Sequence, residues 1–230
     1  MKPQLQRVGT SQSPVVIIDD FSGAVEDIAR IADSLAPFPA SQGNYYPGVR
    51  RMIGEADQTA YSYVLRTCEQ AAPFIGGAFD VQGFDLDEAS FSVVATPPDR
   101  LQAAQRMPHF DSPEQNRFAL LHYLRVPPGT GTAFYRHRST EIERVSAGNL
   151  NRFVSTAGRE ASTRASAGYI AGSNDFFEQI GSVEAVPDRL IIYHGSLLHS
   201  GIIPPRMTFS TDPREGRLTA NLFIIGRNSA

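Results

Sequence analysis

"RMPHFDSPEQNRFALLHYLRV", Arg106 to Val126, decides how the rest of the chain is read. His109 stands two residues before Asp111, and a run with strand character follows directly. Residues at i and i+2 on an extended backbone point to the same side. An imidazole and a carboxylate at this spacing can therefore converge on one ion, whereas a turn aspartate beside a satisfied histidine would need no third partner. The short motif is indecisive alone, so the remaining ligands must come from elsewhere, in order and on suitable backbone.

Going toward the C-terminus, "VPDRLIIYHGSLLHSGIIPP" (Val186 to Pro205) offers a strand over Leu190 to Tyr193, a turn at Gly195-Ser196, and then His199. Two histidines and one carboxylate make a facial triad that leaves coordination positions open and suits non-haem Fe(II) and dioxygen chemistry. His194 is a rival for the third place. Farther on, "REGRLTANLFIIG" places Arg217, Thr219, Asn221 and Phe223 on one face of the last strand. A guanidinium binds a carboxylate through two parallel hydrogen bonds and a neighbouring hydroxyl adds a third, the chemistry needed to hold the distal carboxylate of a 2-oxo acid. Arg214 lies in a Pro/Gly-rich loop without a hydroxyl at i+2, so Arg217 is the better anchor.

Strand-like segments recur through the same half: "ASFSVVATPP", "FALLHYLRV", "GTAFYRH", "DRLIIYHG" and "RLTANLFIIG", separated by Pro, Gly and Ser turns. In the first half, "PVVIIDDF" predicts a strand. "FSGAVEDIARIADSL" predicts a helix with Ser22 as N-cap and Val25, Ile28, Ala29, Ala32 and Leu35 on one face. "QTAYSYVLRTCEQAAPFIG" predicts a second helix that ends at Pro73 and Gly76. Residues 139–181, polar and weakly helical, read as an insertion or lid. Helices first and strands afterwards predict a mainly β, α+β arrangement in one domain spanning 1–230, with the core over about 84–226.

Composition narrows the function classes. The 230 residues are 41% hydrophobic and 20% charged, with a net charge of −3 that offers no broad attraction for nucleic acid or an anionic membrane. Cys68 is the only cysteine, which excludes an internal disulfide and any Cys-based zinc site. The opening "MKPQLQRVGTSQS" has no apolar h-region, and no apolar run reaches membrane-spanning length. A cytoplasmic protein is expected.

The ordered set His109-Phe110-Asp111, "HYLRV", "GTAFY", "LIIYHGSLLHSG" and Arg217-Leu218-Thr219 resembles the Fe(II)/2-oxoglutarate-dependent dioxygenases, with prolyl-4-hydroxylase-like members nearest. The resemblance runs from Phe84 to Gly226, and "PVVIIDDF" plus helix looks like the family's lead-in. The Asp111 to His199 gap is long for the family, and the polar insertion absorbs it. "HYLRV" carries arginine where relatives often have asparagine. The resemblance implies a double-stranded β-helix (a jelly-roll barrel) with helices packed on one sheet. It implies iron on His109, Asp111 and His199, with 2-oxoglutarate as cosubstrate on Arg217 and Thr219 and dioxygen as oxidant. Succinate and carbon dioxide are released as a small-molecule or peptide substrate is hydroxylated. Asp111 itself favours hydroxylation, because halogenating relatives lack that carboxylate. In the family pattern the position of His194 is not a ligand.

His122 and Tyr123 point to opposite sides of their strand. His122, sharing a face with Leu120 and Leu124, is the interior candidate to meet the cosubstrate, and Tyr123 is the alternative; core packing explains either equally well. The loop "NYYPGVRRM" supplies Tyr45, Tyr46 and Arg50 as candidates for substrate contact, or as aromatic cover for a helix–sheet seam. Two other function classes stay open: a jelly-roll binding module without oxidation, and a cupin-like metalloprotein using no 2-oxo acid, in which Arg217 has no role.

Overall fold

The computed structural model describes residues 1–41, 46–163 and 168–227. Its strands are β1 (Lys2–Val8), β2 (Ser13–Asp19), β3 (Gly48–Met52), β4 (Gly83–Val94), β5 (Arg117–Arg125), β6 (Gly131–His137), β7 (Phe177–Glu184), β8 (Arg189–His194), β9 (His199–Ile202) and β10 (Arg217–Arg227). Its helices are α1 (Val25–Ser34), α2 (Gln58–Phe79) and α3 (Leu150–Thr163). The fold is mainly β. A seven-stranded antiparallel sheet runs β1-β2-β8-β5-β10-β4-β3, and a three-stranded one runs β7-β6-β9. Neither sheet closes on itself among the described residues.

Side-chain alternation along the strands builds the layers. On β10, Leu218, Ala220, Leu222 and Ile224 turn to one face and join Phe91 and Val93 of β4, Leu120 of β5 and Ile192 of β8 in a core against α1 and α2. Each fully buried aliphatic there stabilises the fold by roughly 1.5–3 kcal/mol. The opposite face of the large sheet meets the small sheet through Tyr123, Ile191, Tyr193, Phe134 and Val183. The far face of the small sheet is covered by α3 through Phe153 and Ala157. Helix pair, large sheet, small sheet and helix therefore stack in four layers, with the inter-sheet space left for a site.

Several expected elements differ. β1 is an added edge strand paired along β2, and β3 forms where a loop is expected. α2 continues through Pro73 and Gly76 to Phe79. Proline in a helix interior typically costs about 3 kcal/mol, but Ala71 and Ile75 on either side are fully buried against the sheet and hold the helix on course. It ends at Asp80, in the left-handed conformation. Ser22 does not cap α1, whose first residue follows Ala24. Its hydroxyl instead donates to the Asp188 carboxylate, which also accepts the backbone N–H groups of Ser22 and Gly23. The polar stretch expected as an insertion over 139–181 holds α3 and the beginning of β7, which pairs along β6. Its last five residues are therefore sheet. The large sheet likewise takes in three strands before residue 84.

Candidate active site

His109 and His199 are joined by a reciprocal backbone pair: each N–H donates to the other's carbonyl, at 2.9 and 2.8 Å. This bridge extends the small sheet beyond β9 and puts the rings side by side, with centroids 4.4 Å apart. The Asp111 N–H donates to the Gly195 carbonyl at 2.7 Å, which aims the carboxylate the same way. One ligand atom from each of His109, Asp111 and His199 then lies within 4.8 Å of the others. The three residues expected to bind a metal are thus brought together, from segments about ninety residues apart, by backbone hydrogen bonds to β9 and to the turn that precedes it.

The donor set suits a cation. His199 Nδ1 lies 2.8 Å from the Leu197 carbonyl and must donate to it, which leaves Nε2 bare. That nitrogen is 3.7 Å from Asp111 Oδ2, a buried oxygen with no hydrogen-bond partner among the described residues. Burial holds the His109 imidazole well below its ordinary pKa and therefore neutral, with the Arg50 charge acting in the same direction. Burial pushes the Asp111 carboxyl up, against the pull of Arg117 and Arg50. A divalent ion would accept the neutral imidazole as it stands, and its charge would offset the burial that disfavours the ionised carboxylate.

The cluster opens into a cavity of about 110 Å³ between the sheets, lined among others by Tyr46, Arg50, Tyr193, Ser200, Arg217 and Thr219. Arg217 is buried; one amino group donates to the Gly131 carbonyl at a long 3.3 Å, and Nε has no partner among the described residues. Its guanidinium lies 5.6 Å from the Tyr123 ring. The Tyr123 hydroxyl bonds Thr132 of the small sheet at 2.7 Å, tying the two layers together beside the cavity. Tyr193 stands edge-on to His199, centroids 4.9 Å apart.

One row across the large sheet organises the rest. Arg50 on β3 pairs with Ser92 on β4, Ser92 with Thr219 on β10, and Thr219 with Tyr123 on β5. Directly opposed residues share a face, so all four project into the inter-sheet space. Ser90 and Ser92 are small, and that leaves room for long side chains from the neighbouring strands. Tyr46 lines the same cavity and stacks on Arg50 at 4.7 Å. Tyr45 lies outside the described residues.

His122 does not meet the cavity. The alternation that groups it with Leu120 and Leu124 turns all three toward the helices. There its Nε2 donates to Asp188 at 3.0 Å and Nδ1 accepts from the Tyr63 hydroxyl at 2.8 Å. Burial alone would raise the Asp188 pKa, but hydrogen bonds from His122, Ser22 and Gly23 bring it down to about 2. This network fastens α1, α2 and the sheet and is structural. Just before α3 the Asn149 side chain accepts the Ser146 N–H and donates to the Arg144 carbonyl, and Arg152 donates to the Thr140 carbonyl. Arg214 pairs with Asp212 on the surface. Gln105, Thr132 and Tyr169 line the cavity without having been singled out. Thr132 sits in the quoted "GTAFYRH" run, where alternation alone could have flagged it.

His194, the rival ligand, also lies behind the large sheet, against Phe79 and Phe118. Burial, reinforced by Arg144, lowers its pKa to about 4. A histidine depressed in the folded state and ordinary in the unfolded one makes stability fall as pH drops below about 6.5, levelling off below the folded value. Urea unfolding of His194→Gln should lose less stability than the wild type between about pH 7 and about pH 4.5, by roughly 2 kcal/mol after allowance for partial exposure. Equal losses in the two proteins would remove His194 from this account.

Over most of its length the chain superposes on several solved structures. SnoN, a non-haem α-ketoglutarate-dependent epimerase from nogalamycin biosynthesis, superposes with a TM-score of 0.57 at 16% identity, over 94% of this chain and 80% of its own. HygX from Streptomyces hygroscopicus, with iron bound, gives 0.53 at 14%, over 94% and 83%. A prolyl hydroxylase from Trichoplax adhaerens, in complex with a hypoxia inducible factor oxygen degradation domain peptide fragment, gives 0.52 at 12%, over 92% and 83%. At these identities the likeness is one of fold, and the fold is that of the Fe(II)/2-oxoglutarate oxygenases, prolyl hydroxylases included. No curated protein matches the sequence. Residues 1–224 match the model described as "Family of unknown function (DUF6445)", and the chain belongs to that family.

Proposed function

We propose that this protein is an Fe(II)- and 2-oxoglutarate-dependent oxygenase that hydroxylates a small-molecule or peptide substrate and releases succinate and carbon dioxide. The observation that carries the reading is the His109–Asp111–His199 cluster, with a bare Nε2 and an unpartnered buried carboxylate oxygen, in one cavity with the under-bonded Arg217. Those three residues would hold the iron. Arg217, helped by Thr219, would hold the distal carboxylate of 2-oxoglutarate. Tyr123 flanks the guanidinium and, through Thr132, keeps the sheets at the spacing that the pocket needs. Bound there, ferrous iron supplies dioxygen activation coupled to oxidative decarboxylation of the 2-oxo acid. The enclosing apolar wall of Tyr193 and Ile203 keeps water from the reacting centre.

The two facing sheets are read as the two sides of a double-stranded β-helix, in a single domain working in the cytoplasm. Among the described residues no helix is long and apolar enough to cross a membrane. Anaerobic Fe(II) with 2-oxoglutarate should produce the visible metal-to-ligand charge-transfer band of a bidentate chelate, and His199→Ala should lose it. Iron binding without the band would sink the proposal in favour of a metal-binding module that uses no 2-oxo acid.

A further inference from the structure

The cavity holds a second guanidinium that the oxygenase reading leaves without work. Arg50 stands in the same cross-sheet row as Thr219, two strands away, so its backbone is about 10 Å from that of β10. Its place is built into the sequence. Gly48 opens β3 so close to β4 that an added Cβ would lie 1.9 Å from the Val93 carbonyl oxygen. The Pro47 carbonyl also accepts from the N–H groups of Ala95 and Thr96 at 3.1 Å. With the strand pinned in this way, Arg50 can only project over Ser92 into the cavity.

Once there, the side chain is held but not satisfied. Tyr46 stacks on its guanidinium, and three quarters of the side chain is out of solvent. Nε is buried with no partner. The nearest carboxylate, Glu88, stands at 3.6 Å, beyond hydrogen-bonding distance, and is itself one-third exposed. Among the described residues Arg50 donates no hydrogen bond at all, although five N–H donors in a rigid fork are expected to find acceptors when withdrawn from water. The charge balance says what is missing. If a dication, a dianionic 2-oxo acid, Asp111 and Arg217 occupy the site together, their charges cancel and Arg50 remains, paired only at 3.6 Å with the part-exposed Glu88. A planar, forked cation with its hydrogen bonds unmade matches a singly charged carboxylate better than a phosphate dianion.

We infer that Arg50, braced by Tyr46, is the recognition group for the primary substrate, and that this substrate is a small acid which presents a carboxylate to β3 while its reacting carbon lies toward His109 and His199. The inference rests on the oxygenase reading of the cavity. It assigns Arg50 to the substrate and Arg217 to the cosubstrate, two carboxylate subsites on one sheet face.

The test is nuclear magnetic resonance of the arginine Nε–Hε groups in protein loaded with Zn(II) and 2-oxoglutarate, titrated with benzoate and then with benzamide as the uncharged isostere. Adding 2-oxoglutarate should move the Arg217 resonance and leave that of Arg50 in place. Benzoate should then move the Arg50 resonance saturably, with benzamide at least tenfold weaker. Followed through the backbone amides of Ala95 and Thr219, Arg50→Gln should weaken benzoate at least tenfold. Arg50→Lys, which keeps the charge without the fork, should fall between; the remaining amide spectrum reports whether each variant is folded. Three results would overturn the assignment: an Arg50 resonance that responds to 2-oxoglutarate itself, equal binding of benzamide, or no response to benzoate. If 2-oxoglutarate moves neither arginine while benzoate moves Arg50, the oxygenase reading fails and the anion subsite stands on its own.

Discussion

Asp111→Ala is expected to abolish iron-dependent consumption of 2-oxoglutarate, by about a thousandfold or more, while leaving the apo-protein as stable as before or slightly more so. The two halves of this expectation have one cause. Among the described residues Asp111 Oδ2 is buried without a hydrogen bond, and burial pushes the carboxyl's pKa up. In the absence of a cation it is therefore a net cost to folding; an unsatisfied buried polar group typically costs about 1–3 kcal/mol. Its backbone N–H bond to Gly195 survives the substitution, so the segment keeps its path. A residue retained for stability would behave the other way, since core truncations in this fold should cost about 2–5 kcal/mol. Melting of the apo-protein together with an anaerobic Fe(II) titration separates the cases. A variant that melts well below the wild type yet still binds iron would mean that the carboxylate is part of the scaffold and the metal site lies elsewhere.

The parts of this site that were legible in the sequence are those fixed by short-range periodicity. The i, i+2 spacing of His109 and Asp111, and the alternation of Arg217, Thr219 and Asn221, both describe one face of an extended chain, and both came out as read. The aliphatic strands β5, β8 and β10 were legible for the same reason. Alternation groups residues by face without saying which face is which, and that is where His122 went astray: Leu120, His122 and Leu124 do share a side, but it is the helix side. The register that sets Tyr123 opposite Thr219 would have corrected this, and register is a tertiary fact. Three of the strands that were missed carry little apolar signal. β1 is a polar edge strand with most of its side chains exposed, β9 has only four residues, and "GVRRM" of β3 spends its inner position on Arg50. Where a strand serves a pocket or an edge, the hydrophobic signature that reveals strands is replaced by the residues the pocket or the edge needs.

Arg217→Ala should raise the KM for 2-oxoglutarate by about a hundredfold, corresponding to the roughly 3 kcal/mol carried by a charge-assisted bidentate pair in a desolvated site, with a much smaller effect on kcat. The magnitude follows from what surrounds the side chain. Arg217 is buried, yet among the described residues its only hydrogen bond is the long one to Gly131 and its Nε has none, so most of its hydrogen-bonding capacity is free for a ligand. Thr219→Val removes a single neutral donor and should cost only about 1 kcal/mol, a KM rise of about fivefold. A loss of affinity could also come from a disturbed pocket, so the decisive readout is selectivity. The wild type should prefer 2-oxoglutarate strongly over 2-oxobutyrate, which lacks the distal carboxylate. Arg217→Ala should collapse that preference, because a guanidinium that is absent cannot tell the two apart. Succinate, which keeps a carboxylate for Arg217, should inhibit the wild type competitively and the variant weakly. If the variant still discriminates between the two 2-oxo acids, the distal carboxylate is held by another group, and Arg50, the other guanidinium in the cavity, becomes the cosubstrate anchor.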